Sequence, residues 1–236
     1  MFSYLDNVIS FLKRGGSLFF LSLILSVVTG CHQRGDAISP LTEEGKPALR
    51  CIAVIPFQQV IPEEANIKAV RCPLCGATFL TDGYLKDAEK VAEGIFVQWL
   101  KEHRRFTIIP SERVGDVYRR ISADSPKATL PEIFKKVGRE LGADGIAVGY
   151  VYRYRQRRGR PYSVEKPASV AFDIHLIRVN DGTLVWKGVF DRTQSSLMEN
   201  IFLISSFFKQ RGRWATAEEL TEEGMEEILK TFPQER

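Results

Sequence analysis

The stretch Cys51-Ile52-Ala53-Val54-Ile55-Pro56-Phe57 is a short, continuous apolar run closed by proline, and it reads as a strand buried on both faces. Such a strand belongs inside a sheet rather than at its edge. Downstream of it the periods alternate. From Tyr84 to His103 the residues Ala88, Val91, Ala92, Ile95, Phe96, Trp99 and Leu100 recur at three and four positions, one apolar stripe along a helix. Phe106-Thr107-Ile108-Ile109 is a second strand, and Pro110-Ser111 opens another helix with Val114, Val117, Tyr118 and Ile121 on one side.

Thr129 and Glu132 have the spacing of a capping box, and Gly142 supplies the left-handed stop after an apolar face of Ile133, Phe134, Val137 and Leu141. Gly145 to Arg155 is then a strand. Its even positions carry Ile146, Val148, Tyr150, Tyr152 and Tyr154, while Arg153 and Arg155 point the other way, towards water. Ser169 to Val179 alternates too, with Val170, Phe172, Ile174 and Leu176 inward and Asp173 and His175 outward. Asn180-Asp181-Gly182 has the chemistry of a tight hairpin, and Leu184, Trp186 and Phe190 line the returning strand. A second capping box, Thr216 with Glu219, starts a terminal helix that faces Leu220, Met225, Ile228, Leu229 and Phe232 inward. The expectation is an α/β (α+β) fold: a single domain over 49–236 with a mixed sheet of about five strands, an antiparallel C-terminal hairpin and flanking helices.

Before this domain, Lys13-Arg14, an apolar run from Leu18 to Val28, and Val28-Thr29-Gly30-Cys31 stand in the order of a bacterial secretory signal. The run is well short of the roughly 20 residues a membrane-crossing helix needs. A cysteine after Thr-Gly resembles the lipobox of bacterial lipoproteins, which implies that residues 1–30 are removed and that Cys31 carries the acyl chains. An ordinary signal peptide with a chance cysteine is the alternative. His32, in place of the aspartate that holds many lipoproteins at the inner membrane, leans towards the outer membrane. Residues 31–48 are polar, contain Gly and Pro, and read as a flexible tether.

The net charge of +4 falls to +3 once Asp6, Lys13 and Arg14 leave with the signal, too small an excess for a general nucleic-acid binder. No Walker-type loop, His-Glu-x-x-His or Gly-x-Ser-x-Gly is present, so catalysis has no positive support in the sequence.

Ile52 to Phe57, Phe106-Thr107-Ile108-Ile109-Pro110, Leu141 to Gly149, and Asn180-Asp181-Gly182-Thr183-Leu184-Val185-Trp186 follow one another in an order that resembles the periplasmic lipoproteins related to CsgG, PelC, LpoB and the amino-terminal domain of TolB. The resemblance covers roughly Cys51 to Phe190. It implies a non-enzymatic role in envelope export, secretion or assembly, at the periplasmic face of the outer membrane, with protein partners and a tendency to form rings of identical subunits. Pore formation is not implied, because no pair of inserted hairpins has the alternation of a membrane barrel. Activation of a cell-wall synthase is the second reading within the same group.

Two features stand apart from that pattern. Val70-Arg71-Cys72-Pro73-Leu74-Cys75-Gly76, in an insertion near 59–83, has the shape of a zinc knuckle, yet it supplies only half of a four-ligand site. Cys51 is the remaining downstream cysteine and reads as a small core residue, while His32, His103 and His175 are distant candidates. Zinc, a stiffening Cys72–Cys75 disulfide and redox chemistry are the three readings of the pair. The last expects the motif to open a helix. The second feature is the arginine-rich run of Arg153, Arg155, Arg157, Arg158 and Arg160, which suits an anionic partner or a solvated hairpin. With it goes the apolar segment Met198 to Phe208 and its basic, aromatic flank, where Phe207, Phe208 and Trp214 are candidate contacts for a partner subunit or membrane interface and a core helix is the alternative.

Overall fold

A computed structural model describes residues 49–64, 67–83, 85–103, 106–160, 163–194 and 213–233, which all belong to one compact unit, Ala37–Arg236. Cys31, its signal and tether, and Phe207 and Phe208 lie outside the described residues.

In chain order the elements are β1 (Cys51–Val54), β2 (Gln58–Gln59), β3 (Ala69–Arg71), β4 (Thr78–Leu80), α1 (Ala88–His103), β5 (Thr107–Ile109), α2 (Ser111–Asp124), α3 (Leu130–Leu141), β6 (Gly145–Arg155), β7 (Arg158–Arg160), β8 (Ser163–Lys166), β9 (Ser169–Arg178), β10 (Leu184–Thr193) and α4 (Ala217–Leu229). The main sheet runs β10-β9-β6-β1-β5, with β2 pairing to the far half of β6. β1 is parallel to both neighbours, Ile52 standing opposite Ile108 on one side and Gly145 on the other. β9 is antiparallel to both of its neighbours, β6 and β10. The fold is therefore α+β with a mixed sheet and an antiparallel C-terminal pair, as the sequence indicated.

Each face of the sheet is covered. On one side α1 and α4 bring Phe96, Leu100, Leu220 and Leu229 against Ile52, Val54, Phe172 and Leu176. On the other, Val114 of α2, Phe134 of α3, and Cys72 and Phe79 of the β3–β4 hairpin pack on Ala53, Ile55, Ile146 and Val148. Full burial of an aromatic such as Phe96 or Phe134 contributes about 1.5–3 kcal/mol relative to exposure, so the two layers stabilise the sheet from both sides.

Both capping boxes are formed. The Thr129 amide donates to Glu132 Oε2 at 2.7 Å and the Thr216 amide to Glu219 Oε2 at 2.9 Å. α3 ends at Gly142, φ 66°.

Three local expectations are corrected. α1 begins at Ala88 rather than Tyr84, because Asp87 adopts a left-handed backbone (φ 64°) that the preceding turn cannot continue as helix. Leu184 is 38% exposed, since the ladder shifts register between Leu184 and Trp186. β6 carries a bulge at Tyr152, where Val151 faces Phe172 and Arg153 faces Ala171. The extra residue reverses the parity beyond it. Tyr150 and Tyr152 accordingly pack on the hairpin side, whereas Tyr154 joins the α1–α4 side.

Candidate metal centre

β3 and β4 form a short antiparallel hairpin, Val70 opposite Phe79, with Cys72-Pro73-Leu74-Cys75-Gly76 as its tip. The tip is a tight knuckle: the Cys72 amide donates to Ala77 O at 2.8 Å and the Gly76 amide to Cys72 O at 3.0 Å. Gly76 takes φ +71°, a conformation that a side chain would strain. In this geometry the amides of Leu74 and Cys75 both donate to Cys72 Sγ at 3.4 Å.

The hairpin lies on the face of β9 that the sequence assigned to solvent. Asp173 and His175 are fully buried there. They sit two residues apart on one strand and so share a face, which the hairpin covers. Phe79 stacks on the Tyr152 ring with centroids 3.9 Å apart, seating the hairpin beside the bulge. Cys72 Sγ lies 3.7 Å from His175 Nε2, and Cys75 Sγ donates to Asp173 Oδ2 at 3.8 Å. The Tyr152 hydroxyl donates to the other carboxylate oxygen, Oδ1, at 2.8 Å. One ligand atom from each of Cys72, Cys75, Asp173 and His175 falls within 4.8 Å of the other three.

Burial governs the electrostatics. It raises the Cys72 thiol, with help from the Asp173 charge. It also raises the Asp173 carboxyl against the opposing hydrogen bond from Tyr152. His175 is pushed down to about 3, by burial first and by the Lys187 cation second. Each group is thus driven towards its neutral form. A raised thiol is the opposite of an activated nucleophile, and the motif caps a hairpin instead of opening a helix. Both observations argue against thioredoxin-like chemistry. Cys72 and Cys75 are free thiols in this structure. A soft or borderline divalent cation suits two sulfurs, an imidazole nitrogen and a carboxylate oxygen.

The chain is similar in fold to PelC. Against the PelC dodecamer from Paraburkholderia phytofirmans the identity is 16% and the TM-score 0.45, over 80% of this chain and 94% of that one. Lipoprotein GNA1162 from Neisseria meningitidis matches with 14% identity and a TM-score of 0.40, over 68% of this chain and 96% of that one. The LpoB C-terminal domain from Salmonella enterica matches with 15% identity and a TM-score of 0.36, over 64% and 87%. PelC and LpoB are two of the names to which the sequence pattern pointed. No family model matches the chain, and no curated protein matches it either. At these identities the likeness is one of fold, and the chemistry of the site rests on its own residues.

The remaining sequence candidates separate in space. Cys51 starts β1, half-buried against the α2–α3 side, and is not among the four clustered residues. His103 stacks on Trp99 at the end of α1. Arg153, expected in water, is 6% exposed. The bulge turns it onto the hairpin face, where it donates to Leu80 O (2.8 Å) and Ser169 Oγ (2.6 Å) and pairs with Asp191. Arg155 pairs with Asp82 on the same insertion. Arg157 is half-buried, so Arg158 and Arg160, on β7, are the exposed members of the run. Trp214 is half-buried just before α4. Ile61, Ile67 and Leu80 are exposed and line an open groove beside the hairpin.

Asp173 and His175 are the two candidate ligands that strand alternation misplaced. The signal that could have found them is the apolar company on their own face: Ala171 before and Ile177 after share their parity, and both are buried. A face bounded in that way is covered, and polar groups on a covered face need partners.

Proposed function

We propose that this chain is a lipid-anchored protein of the bacterial envelope that works by binding, as an accessory or assembly factor of an export or envelope-building machine. The observation that carries this reading is the order basic residues, short apolar run, Thr29-Gly30-Cys31 ahead of the folded unit. Acyl chains on Cys31 hold the domain at the periplasmic face of the outer membrane, and residues 31–48 act as its tether. Among the described residues no helix is long and apolar enough to cross a membrane.

Binding rather than turnover suits the described chemistry. The buried thiol is raised rather than activated, and the exposed features are groups made for contact: the guanidinium groups of Arg158 and Arg160, and the apolar side chains of Ile61, Ile67 and Leu80. Phe207, Phe208 and Trp214 belong to the same proposal as contacts for a second copy or a partner protein.

Mass spectrometry of the mature chain together with membrane fractionation tests the reading. An acylated amino-terminal Cys31 and loss of membrane association in Cys31→Ser are expected. An unmodified chain free in the cytosol overturns it. Light scattering of the protein in detergent, with and without lipid, tests self-assembly, and a strict monomer at high concentration removes the ring from the proposal.

A further inference from the structure

We infer that Cys72, Cys75, Asp173 and His175 hold a single divalent ion of the zinc class in a closed structural site that pins the β3–β4 hairpin to the sheet. The inference stands apart from the lipid anchor and holds whether or not Cys31 is acylated.

Four independent observations converge on it. The first is size. Ligand bonds of about 2.0 to 2.3 Å in a tetrahedron place neighbouring ligand atoms about 3.3 to 3.8 Å apart. The Cys72–His175 and Cys75–Asp173 separations are 3.7 and 3.8 Å, so two edges of the tetrahedron are already set, and the remaining pairs of ligand atoms lie within 4.8 Å.

The second observation is the knuckle. Two backbone amides aimed at one sulfur are wasted on a neutral thiol, a weak acceptor, but they stabilise a thiolate. A metal is what keeps such a buried sulfur in the thiolate form. Third, the imidazole is fully buried and its Nδ1 has no hydrogen-bond partner. Ligation, with the second nitrogen turned to Asp173, satisfies a ring that is otherwise left short of partners.

The fourth is charge. Two thiolates and a carboxylate carry three negative charges in a buried pocket, and a divalent ion leaves one. Lys187, which stands opposite His175 in the β9–β10 ladder, supplies the remaining positive charge. The Tyr152 hydroxyl holds Asp173 Oδ1 and so leaves Oδ2 towards Cys75, the orienting arrangement that metal-bound carboxylates require.

The donor set names the metal class. Thiolates with imidazole favour zinc over the hard cations, and iron–sulfur clusters draw on more cysteines than the knuckle offers. All four ligands come from protein and three are buried, so no coordination position remains open to a substrate. The ion's work is architectural. It joins an insertion, whose own core is little more than Cys72 and Phe79, to the strand that forms the centre of the antiparallel half of the sheet.

The test uses the full chain purified in detergent under reducing, metal-free and zinc-loaded conditions. One zinc per chain is expected by elemental analysis. Cobalt(II) in its place should show the intense visible bands of a tetrahedral thiolate site. Cys72→Ser, Cys75→Ser and His175→Ala should abolish those bands or weaken affinity by at least about 10-fold, as loss of a ligand or its support does elsewhere. Thiol alkylation followed by mass spectrometry keeps the result readable if a variant misfolds. In the wild-type chain Cys72 and Cys75 should resist labelling with zinc and label after chelation, while labelling of Cys51 stays the same. Zinc uptake no greater than that of the Cys72→Ser/Cys75→Ser double variant, or labelling unaffected by chelation, overturns the inference. Recovery of a Cys72–Cys75 disulfide from protein isolated from the envelope also overturns it.

Discussion

Arg153 shows how far one residue can depart from the role its neighbours suggest. In a run of five arginines it looks like part of a charged surface, yet it is enclosed by Leu80 O, Ser169 and Asp191. Removing it takes a charged donor from the part-buried Leu80 carbonyl and from Ser169 Oγ, which keeps its contact with the Thr193 hydroxyl, empties a buried site and leaves Asp191 without its cation. Arg153→Ala should therefore lower stability by about 2 to 4 kcal/mol in urea denaturation. Arg158→Ala, on exposed β7, should change it by less than about 0.5 kcal/mol. Equal effects at the two positions would return Arg153 to the surface. Asp173 and His175 make the same point with opposite consequence, since residues read as solvated turn out to be the polar heart of a core.

At the scale of elements, the helix ends carry titratable chemistry. Glu219 loses some solvation in the first turn of α4, but the hydrogen bonds from Thr216 and the pairing with Arg213 outweigh this and hold its carboxyl below the usual 4.5. A depressed carboxylate adds stability above its unfolded pKa, and that stability is lost as the pH falls through the folded value. The acid limb of the stability curve, below about pH 4.5, should flatten in Glu219→Gln, and Thr216→Ala should cost about 1 kcal/mol near neutrality. Melting measured against pH checks both.

Within β6, a Cβ on Gly149 would meet Phe57 at 2.4 Å, whereas one on Gly94 in α1 meets nothing within 4 Å. Gly149→Ala should destabilise by about 1 to 3 kcal/mol, and Gly94→Ala should stabilise by about 0.5 to 1 kcal/mol through helix propensity. Denaturant midpoints that fail to move in opposite directions would contradict this packing.

Across the whole molecule, the insertion and the sheet are held together by a few specific contacts: the Phe79–Tyr152 stack, the Arg153 and Arg155 bonds to Leu80 and Asp82, and the Cys72–Cys75–Asp173–His175 cluster. Local stability follows such contacts. Chelation of the zinc-loaded chain should speed hydrogen exchange over 69–81 while β6, β9 and β10 keep their protection. Uniform loss of protection would mean that the ion supports the entire sheet, and no change would mean that it supports nothing.

Much of this architecture was legible in the chain itself. The buried run of β1, the stripe of α1, both capping boxes and the Gly182 turn act over a few residues, so apolar period and backbone preference are enough to specify them. The first half of the metal site was legible for the same reason, because Cys72 and Cys75 belong to one turn. Its second half was not. Whether the far face of β9 meets water or a hairpin depends on where residues about a hundred positions away come to rest, and a bulge at Tyr152 decides which way Arg153 points. Alternation tells that a strand has two faces. Only the tertiary packing determines what covers each, and burial then decides whether a histidine and an aspartate are solvated surface groups or ligands.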